Sequence, residues 1–545
     1  NLIQFHKITS RHVLVLEADI SECDKRELLH MSNIIRVAGN ELVAVMKKQY
    51  EQLLRTKRYR RLRDMYAKAK KNEDKKQVGV ITAEMTEMQK SYHVTWEFCR
   101  KSMIEINQKY NINSIFALSK AEDVWQAVEK CLFSDGKAIH FKKYGDYPEI
   151  RAKQANRGIV ISADNDGIRL KIGKTKLKPI INKHKHTKTR KGNTIQAQEP
   201  HDIFAESEAE AVLNYLSNPD VVDKTALDLY NKKGIVMDTF RPCFASISFK
   251  EIRGKMRVYI HITIEGISKP KYNKDGTRRH QYGKGFIGCD IGPQSIAYTS
   301  KEEVGLKNLA ERGASIKARE QKEARILRKM DRSRRAVNPE NYNDDETIRK
   351  GKKTWKKSNR YKKLHSQYKN ICRIAAENRH LAINEEVNHM RMLGNVFITE
   401  PKNAKKLQKY SKKTERQDNP SVVQKSDGTK QLVYKYKRKK RFGKSIKNRC
   451  PGYFQAQAKA KFERTGGVYI EVPVTYRASQ YDHTCNKYIK KALSQRMYEL
   501  ENGTRVQRDW YSSFLMYCIG TDLQNISRYK CKRYFNELYA KYLEL

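Results

Sequence analysis

Three acidic residues in separate parts of the chain have the chemistry to bind a divalent metal ion. Asp290 follows the apolar residues of GFIGCD, Glu385 stands in LAINEEVN, and Asp509 stands in RVQRDWYSSFLM. A carboxylate beside an apolar run is costly to bury unless a cation meets it. Paired Mg²⁺ ions held by carboxylates activate a water and stabilise the leaving oxygen in phosphodiester hydrolysis. Together the segments predict such a centre; alone, Asp290 also fits a turn cap and Asp509 a helix-dipole partner.

Each acid needs an element to position it. The runs GFIGCD and SIAYTS flank turn-forming residues, which predicts a β-hairpin with Asp290 at the end of its first strand. LAINEEVN predicts a short buried strand, on which Glu385 and Glu386 face opposite sides, so only one can reach the metal. Asp509 falls in the first turn of a predicted helix. The apolar stripe of that helix comprises Val506, Trp510, Phe514 and Tyr517.

The charge balance predicts a polyanionic partner. The 545 residues include 112 Lys and Arg against 61 Asp and Glu, a formal net charge of +51. An excess of this size, spread over the whole chain, is typical of proteins that neutralise many phosphates. Ribosome-like or histone-like binding would also explain it. Attachment to a membrane surface is disfavoured because no single basic amphipathic helix carries the excess.

Length and cysteine usage indicate a globular cytosolic protein. The chain has room for two to four domains, since a typical domain has roughly 100 to 200 residues. The start of the sequence lacks the apolar core of a signal peptide, and no window approaches the ~18 apolar residues of a membrane-spanning helix. The ten cysteines form no CxxC pair, which favours reduced thiols and gives no support for a zinc site.

The pattern of apolar residues predicts several structural regions. Residues 3–18 read as a strand, residues 27–71 as an amphipathic helix, and residues 80–131 as two further helices. From about residue 140 the pattern changes to short strands, including a hairpin that turns at residues 165–167. These strands and those after residue 240 predict a small β-barrel split in sequence by helices. Residues 315–381 predict a long basic helical region that is broken at NPENYNDDET.

Several basic segments are predicted to contact nucleic acid. KHKHTKTRK, residues 183–191, favours a phosphate-contacting loop over a metal site, because its two histidines stand among five cations. YKYKRKKRFGKSIKNR interleaves aromatic and basic residues, which suits stacking on bases, although a basic linker would look the same. The candidate contact residues are Lys183, Lys185, Arg190, Arg334, Arg335, Lys437, Arg438, Arg441, Arg505 and Arg508.

The ordered set of segments resembles a known family. GFIGCDIGPQSIAYTS, LAINEEVN and RVQRDWYSSFLM resemble, in this order, the three split motifs of a RuvC-type (RNase H-like) nuclease domain. More narrowly, they are similar to the TnpB proteins of insertion sequences and to the related compact type V CRISPR effectors. RKMDRSRRAVNPENYN, KKRFGKSIKNRCPG and RASQYDHT resemble the same family. The likeness extends from about residue 110 to the end and is strongest from residue 283 onward.

The resemblance implies an α+β multidomain architecture: an RNase H-like (RuvC) α/β nuclease domain, and an N-terminal wedge β-barrel interrupted by a helical recognition lobe. The implied boundaries are 1–20 and 139–282 for the wedge barrel, 21–138 for the helical lobe, 283–477 and 505–545 for the nuclease domain with its inserted basic helical hairpin, and 478–504 for a target nucleic-acid-binding insert. Many relatives carry a four-cysteine zinc ribbon at that insert. Here Cys485 stands alone between Cys450 and Cys518, so zinc is not expected.

By resemblance, the protein is expected to be an RNA-guided DNA endonuclease in the bacterial or archaeal cytoplasm, associated with the nucleoid. Asp290, Glu385 and Asp509 would bind Mg²⁺, with Mn²⁺ able to substitute; the motif aligns Glu385, rather than Glu386, with the family's acid. Its partners would be a guide RNA and target double-stranded DNA, and it would not associate with a membrane. The protein would act as a monomer or homodimer. The alternatives are a nuclease-inactive RNA-guided DNA-binding protein, and a guide-independent RNase H-like nuclease or recombinase of a mobile element.

Overall fold

The chain folds as two units in the computed structural model. The N-terminal unit comprises Arg11–Ser268, and the C-terminal unit comprises Lys269–Leu545. The residues described below are 11–72, 74–133, 136, 138–154, 156–164, 167–180, 186–188, 194–196, 212–217, 241–265, 277, 281–312, 315–345, 347–402, 404, 413–416, 420–424, 429–433, 436–438, 443–492 and 495–545.

Helices follow the first strand of the N-terminal unit. They are α1 (Glu22–Arg55), α2 (Lys57–Lys71), α3 (Lys75–Ser91), α4 (Trp96–Tyr110) and α5 (Ser114–Phe133). Ser21 caps the N-terminus of α1, because its hydroxyl accepts the N–H of Asp24 at 3.0 Å. Thr56 is extended and separates α1 from α2, so the helix predicted over residues 27–71 is interrupted once. Similarly, the region 80–131 contains parts of three helices rather than two.

A seven-stranded antiparallel sheet completes the N-terminal unit. Its strands are β1 (Arg11–Asp19), β2 (Ile150–Arg151), β3 (Ile159–Asp164), β4 (Gly167–Ile172), β5 (Thr175–Ile180), β8 (Arg241–Ile252) and β9 (Lys255–Glu265). They lie in the order β2-β8-β9-β1-β5-β4-β3. Strands β6 (His186–Lys188) and β7 (Thr194–Gln196) pair separately. Strand β1 lies between β9 and β5, so the sheet is split in sequence by the helices, as predicted, and the β3–β4 hairpin is confirmed. Among the described residues no ladder joins β2 to β3, and closure into a barrel stays a prediction.

A five-stranded sheet forms the centre of the C-terminal unit. Its strands are β10 (Phe286–Ile291), β11 (Ser295–Thr299), β12 (Val304–Asn308), β13 (Val396–Thr399) and β18 (Val468–Glu471). The order is β12-β11-β10-β13-β18. The first three strands form an antiparallel meander, whereas β13 and β18 run parallel to β10. The predicted hairpin is therefore confirmed, and Asp290 is its penultimate strand residue, opposite Ala297.

Helices cover both faces of this sheet. They are α7 (Asn359–Leu393) and α9 (Pro451–Arg464) on one face, and α10 (Arg508–Tyr517) and α11 (Arg528–Leu543) on the other. The unit also contains α6 (Ile316–Val337) and α8 (Gly443–Arg449). One core, on the side of α7 and α9, includes Ile287 and Cys289 of β10 and Phe397 of β13. The other core, on the side of α10 and α11, includes Ile398 of β13 and buried aromatic residues such as Trp510.

The prediction of a strand at LAINEEVN was wrong, because this segment lies within α7. Ile383, Val387 and Met390 are fully or almost fully buried at helical spacing and pack against the sheet. No Pro or Gly interrupts the helix before its C-cap, Gly394. The buried strand follows immediately, as Val396–Thr399 of β13.

The other described strands of the C-terminal unit form short antiparallel pairs. Strand β14 (Lys413–Arg416) pairs with β17 (Tyr436–Arg438), and β15 (Ser421–Gln424) pairs with β16 (Lys430–Val433). Within and beside the predicted insert, β19 (Tyr481–Asp482) pairs with β20 (Lys487–Tyr488), and β21 (Met497–Glu499) pairs with β22 (Arg505–Gln507). All ten cysteines are free thiols. None of the described helices combines enough length with enough apolar character to cross a bilayer.

Candidate metal centre and nucleic-acid interface

Asp290 projects from the central strand toward α10. The neighbouring positions Ile287, Cys289 and Ile291 belong to the core on the α7 side. Because successive side chains alternate across a strand, Asp290 faces the opposite side. Its side chain is only 11% exposed. The apolar strand thus delivers a nearly buried carboxylate beneath α10.

Glu400 lies beside Asp290 on the adjacent parallel strand. The register pairs Cys289 with Thr399, so Asp290 and Glu400 occupy equivalent next positions. Val396 and Ile398 belong to the α10-side core, and alternation places Glu400 on that same face. One carboxylate oxygen of Glu400 accepts the backbone N–H of Ala478 at 3.1 Å.

Sequence reasoning missed Glu400, although a signal was present. VFITE repeats the pattern of GFIGCD: a short apolar run that ends in an acid. The run also follows Gly394 and precedes Pro401, residues that bound strands. The metal-binding acid was instead predicted in LAINEEVN, because its two adjacent acids stand beside apolar residues.

Asp509 reaches the same place from α10. A Cβ at Gly288 would lie 2.0 Å from the carbonyl oxygen of Ser513, so α10 packs directly on β10 at this glycine. The hydroxyl of Ser513 also hydrogen-bonds with that of Thr299 on the neighbouring strand β11 at 2.7 Å. Asp290 is two residues further along the strand, roughly 7 Å, and Asp509 is about one helical turn back, roughly 6 Å. The packing therefore brings Asp509 toward Asp290, in the predicted first turn of the helix.

The three carboxylates interact electrostatically. Burial raises the pKa of Glu400, and the negative charge of Asp290 raises it further. Burial and Asp290 likewise raise the pKa of Asp509, although Arg496 opposes them. The Arg496 guanidinium lies 3.2 Å from the Asp509 carboxylate and is largely exposed. Like charges gathered in a poorly solvated place favour a bound cation.

A lysine supplies such a cation from within the chain. The Lys402 ammonium donates a hydrogen bond to, and forms an ion pair with, Asp290. Burial alone would lower the pKa of Lys402, but Asp290, Glu400 and Asp509 outweigh it and the pKa is raised. Lys402 is therefore charged at neutral pH and partly neutralises the acids.

Glu385 lies elsewhere. It stands on α7, its side chain is 63% exposed, and its ion-pair partner is Arg312. Its neighbour Glu386 contacts Lys307 at 3.4 Å. The structure thus brings Asp290 and Asp509 together with Glu400 rather than with Glu385, because the segment expected to be a strand is helical.

The donors suit Mg²⁺, but the centre is not closed around a metal. Carboxylate oxygens are the ligands that Mg²⁺ and Mn²⁺ prefer. Within the part of the chain that the structure describes, however, no three His, Cys, Asp or Glu side chains are gathered so that they could already hold a metal ion. The acids are arranged around Lys402 instead. Their chemistry fits a divalent ion provided that this side chain withdraws.

The candidate nucleic-acid contacts fall into three groups. Lys183, Lys185, Arg190 and Arg441 lie outside the described residues, and for Lys437 and Arg438 only the backbone of β17 is described. Arg334 and Arg335 lie on α6, where both hydrogen-bond to Asp331 and each guanidinium stacks 5.0 Å from an aromatic ring. Arg505 is exposed, and Arg508 donates to the Ala492 carbonyl.

Hydrogen bonds to Asp482 hold the insert, residues 478–504, together. Asp482, 2% exposed, accepts the backbone N–H and hydroxyl of Thr484 at 2.9 and 2.6 Å, and the N–H of Glu501 at 3.0 Å. These bonds link the segment that begins with β19 to the hairpin of β21 and β22. Burial would raise the pKa of Asp482, but the hydrogen bonds outweigh it and the pKa is lowered. Lys491 lies 3.3 Å from the centre of the Tyr498 ring.

Comparisons with known proteins give little further information. No known protein family matches the chain, and no curated protein does. Among solved structures it is similar to the Cas12i1 R-loop complex after target DNA cleavage, with 10% identity and a TM-score of 0.24 over 84% of this chain and 57% of that one. It is also similar to a Cas12i complex with crRNA and dsDNA, with 12% identity and a TM-score of 0.20 over 84% of this chain and 56% of that one. The chain spans little more than half the length of those two proteins, and likeness this slight carries no argument about fold or activity.

Proposed function

We propose that the protein is an RNA-guided DNA endonuclease whose C-terminal unit is an RNase H-like (RuvC) nuclease domain. The observation that carries the proposal is the meeting of Asp290, Glu400 and Asp509, from three distant segments, on one face of the sheet. The strand order supports it, because a central strand flanked by an antiparallel meander and by two parallel strands suits an RNase H-like domain.

Asp290, Glu400 and Asp509 would hold two Mg²⁺ ions. The bound metal would activate the attacking water and stabilise the leaving 3′ oxygen of the cleaved DNA strand. The sheet and α10 fix the positions of the carboxylates. The Ala478 N–H orients Glu400 through its hydrogen bond.

The proposed partners are a guide RNA and double-stranded DNA, bound by a monomer or a homodimer. The net charge of +51 supports a polyanionic partner. Guidance by RNA rests on the sequence resemblance. In that reading, base pairing selects the target, the N-terminal sheet and helices serve as wedge and recognition lobe, and the protein reads a short flanking motif and the shape of the heteroduplex.

One observation favours a second candidate function. The ion pair between Lys402 and Asp290 would also suit an RNA-guided DNA-binding protein that does not cut. Such a protein would share the guide and the target but would lack metal-dependent cleavage.

Purification with the native flanking DNA tests both candidates. The chain is expressed together with that DNA, the bound RNA is sequenced, and a duplex matching its variable end is incubated with Mg²⁺ or EDTA. We expect one RNA species with a constant scaffold and a variable end, and cleavage in Mg²⁺ only. Binding of the duplex without cleavage would favour the inactive candidate, and heterogeneous RNA or none would contradict guidance by RNA.

A further inference from the structure

Lys402 is held where it can touch the carboxylate centre. It follows Glu400 by two residues, with Pro401 between them, so a short and restricted piece of backbone connects the acid and the cation. The Lys402 ammonium pairs with Asp290, whose side chain is 11% exposed, while the Lys402 side chain is 31% exposed. The ammonium thus contacts a nearly buried acid, while the lysine side chain as a whole is partly exposed.

The ion pair between Lys402 and Asp290 compensates part of the negative charge of the carboxylates. A cluster of three carboxylates in a poorly solvated place is unfavourable unless positive charge compensates it. Arg496 compensates only at the edge, because it contacts Asp509 and is itself 63% exposed. Lys402 is the more deeply placed of these two cations, and it contacts the acid on the central strand.

We propose that Lys402 is a built-in counterion that occupies the carboxylate centre and is exchanged for divalent metal when the centre is loaded. This inference rests on the proposed function, because it takes Asp290, Glu400 and Asp509 as the metal ligands. An ammonium and a metal ion that compete for one set of carboxylates oppose each other's binding by the same free energy. Lys402 therefore stabilises the metal-free protein and weakens its affinity for metal.

The flexible lysine side chain makes the exchange feasible. Its four-carbon stem can rotate toward solvent, and it already reaches the surface with about a third of its area. No rearrangement of the sheet or of α10 is required. Lys402 is on this account a residue that sets metal affinity, rather than a catalytic residue.

Calorimetric titration of Mn²⁺ into the purified protein tests the inference. The protein sample holds no other metal and no nucleic acid when the titration begins. The variants are Lys402→Gln and Lys402→Met, with Lys402→Arg to retain the charge. Lys541→Gln is the matched control, because it removes the same charge from α11, where the ammonium contacts Glu537 and the Lys301 carbonyl. We expect the two neutral variants to bind Mn²⁺ roughly tenfold more tightly, since a contact charge is removed at an intermediate dielectric. Lys402→Arg and Lys541→Gln should remain close to the wild type.

A thermal unfolding series provides a readout independent of affinity. In EDTA, Lys402→Gln should unfold at a lower temperature than the wild type, and saturating Mn²⁺ should close the gap. The double variant Lys402→Gln, Glu400→Gln should lose the tight binding, which would assign the Mn²⁺ to this centre.

The possible failures are distinguishable. Equal or weaker Mn²⁺ binding by both neutral variants, while the wild type binds Mn²⁺, would overturn the counterion role and leave the metal centre in place. Absence of Mn²⁺ binding in the wild type and in every folded variant would overturn the proposed metal centre and the inference with it. If a neutral variant fails to fold in EDTA, recovery of folding by Mn²⁺ supports the exchange, and failure to recover contradicts it.

Discussion

Asp290 and Glu400 are neighbours on adjacent parallel strands and face the same side of the C-terminal sheet. The pairing of Cys289 with Thr399 sets this relationship, and the alternation of side chains along each strand sets the common face. Packing of α10 on β10 then adds Asp509. The candidate centre is therefore a consequence of strand register and one helix contact, and disturbing either should disturb metal binding.

Gly288→Ala should damage the centre without touching an acid. A Cβ at this position would lie 2.0 Å from the Ser513 carbonyl and 2.3 Å from the Tyr517 backbone nitrogen, so α10 must move away from β10. We expect a loss of about 3 kcal/mol in the free energy of unfolding, and weaker Mn²⁺ binding because Asp509 moves with the helix. Urea unfolding and calorimetry measure the two effects.

Gly443→Ala is the control for this substitution. A Cβ at Gly443 would meet nothing within 4 Å, so the same chemical change should leave both measurements nearly unaltered. Wild-type stability in Gly288→Ala would show that α10 does not pack on β10 as closely as described.

The sequence predicted the elements of two of the three acids and missed the third for a physical reason. An apolar run that ends in an acid was sufficient for Asp290, and helical spacing was sufficient for Asp509. For the remaining acid, two segments were candidates for the strand that carries it. LAINEEVN continues the apolar stripe of the preceding helix through Ile383 and Val387, whereas VFITE starts only after the C-cap Gly394. Tertiary burial of that stripe favours the helix, and a short window cannot reveal it.

His483 should make the stability of the C-terminal unit depend on pH. Burial lowers the pKa of His483 to about 4, from an ordinary value of 6.5. Below pH 6.5 the unfolded chain takes up a proton that the folded chain accepts only near pH 4, so stability is full above pH 6.5 and falls as the pH decreases toward 4. Between pH 7 and pH 5 the expected loss from this group is about 2 kcal/mol. Urea unfolding followed by tryptophan fluorescence at the two pH values measures it.

His483→Asn is the comparison for this pH effect. The imidazole Nδ1 lies 2.6 Å from the Tyr511 hydroxyl, so the variant should be less stable at pH 7. Its loss between pH 7 and pH 5 should be smaller than that of the wild type by about the same 2 kcal/mol. An equal loss in both proteins would assign the pH dependence to other groups.

Asp482 should stabilise the insert in place of a metal. Its carboxylate accepts hydrogen bonds from Thr484 and Glu501, and it is almost fully buried. Asp482→Ala leaves these donors unpaired and should cost about 2–4 kcal/mol in the free energy of unfolding. Zinc chelators should leave the wild-type insert unchanged. Hydrogen exchange over residues 478–504 measures both effects.

Asp522→Ala is the control, because Asp522 also accepts backbone N–H groups but lies on an exposed turn. It should have a much smaller effect on hydrogen exchange. Unfolding of the insert by chelators would contradict a metal-free fold. The isolated Cys485 predicts that the insert holds no zinc, and this stays a prediction. The role of Asp482 depends on contacts with Glu501 that no local sequence pattern indicates.

The most direct test of the metal centre compares Glu400→Gln with Glu385→Gln. Both substitutions remove one acid at constant size, but Glu400 lies beside Asp290 whereas Glu385 is exposed on α7 and pairs with Arg312. Cleavage of a duplex that matches the co-purified RNA is measured in Mg²⁺ at single turnover. We predict that Glu400→Gln lowers the rate by at least about 100-fold while duplex binding is retained, and that Glu385→Gln cuts nearly as fast as the wild type. Normal cleavage by Glu400→Gln, or its loss only in Glu385→Gln, would contradict the proposed centre.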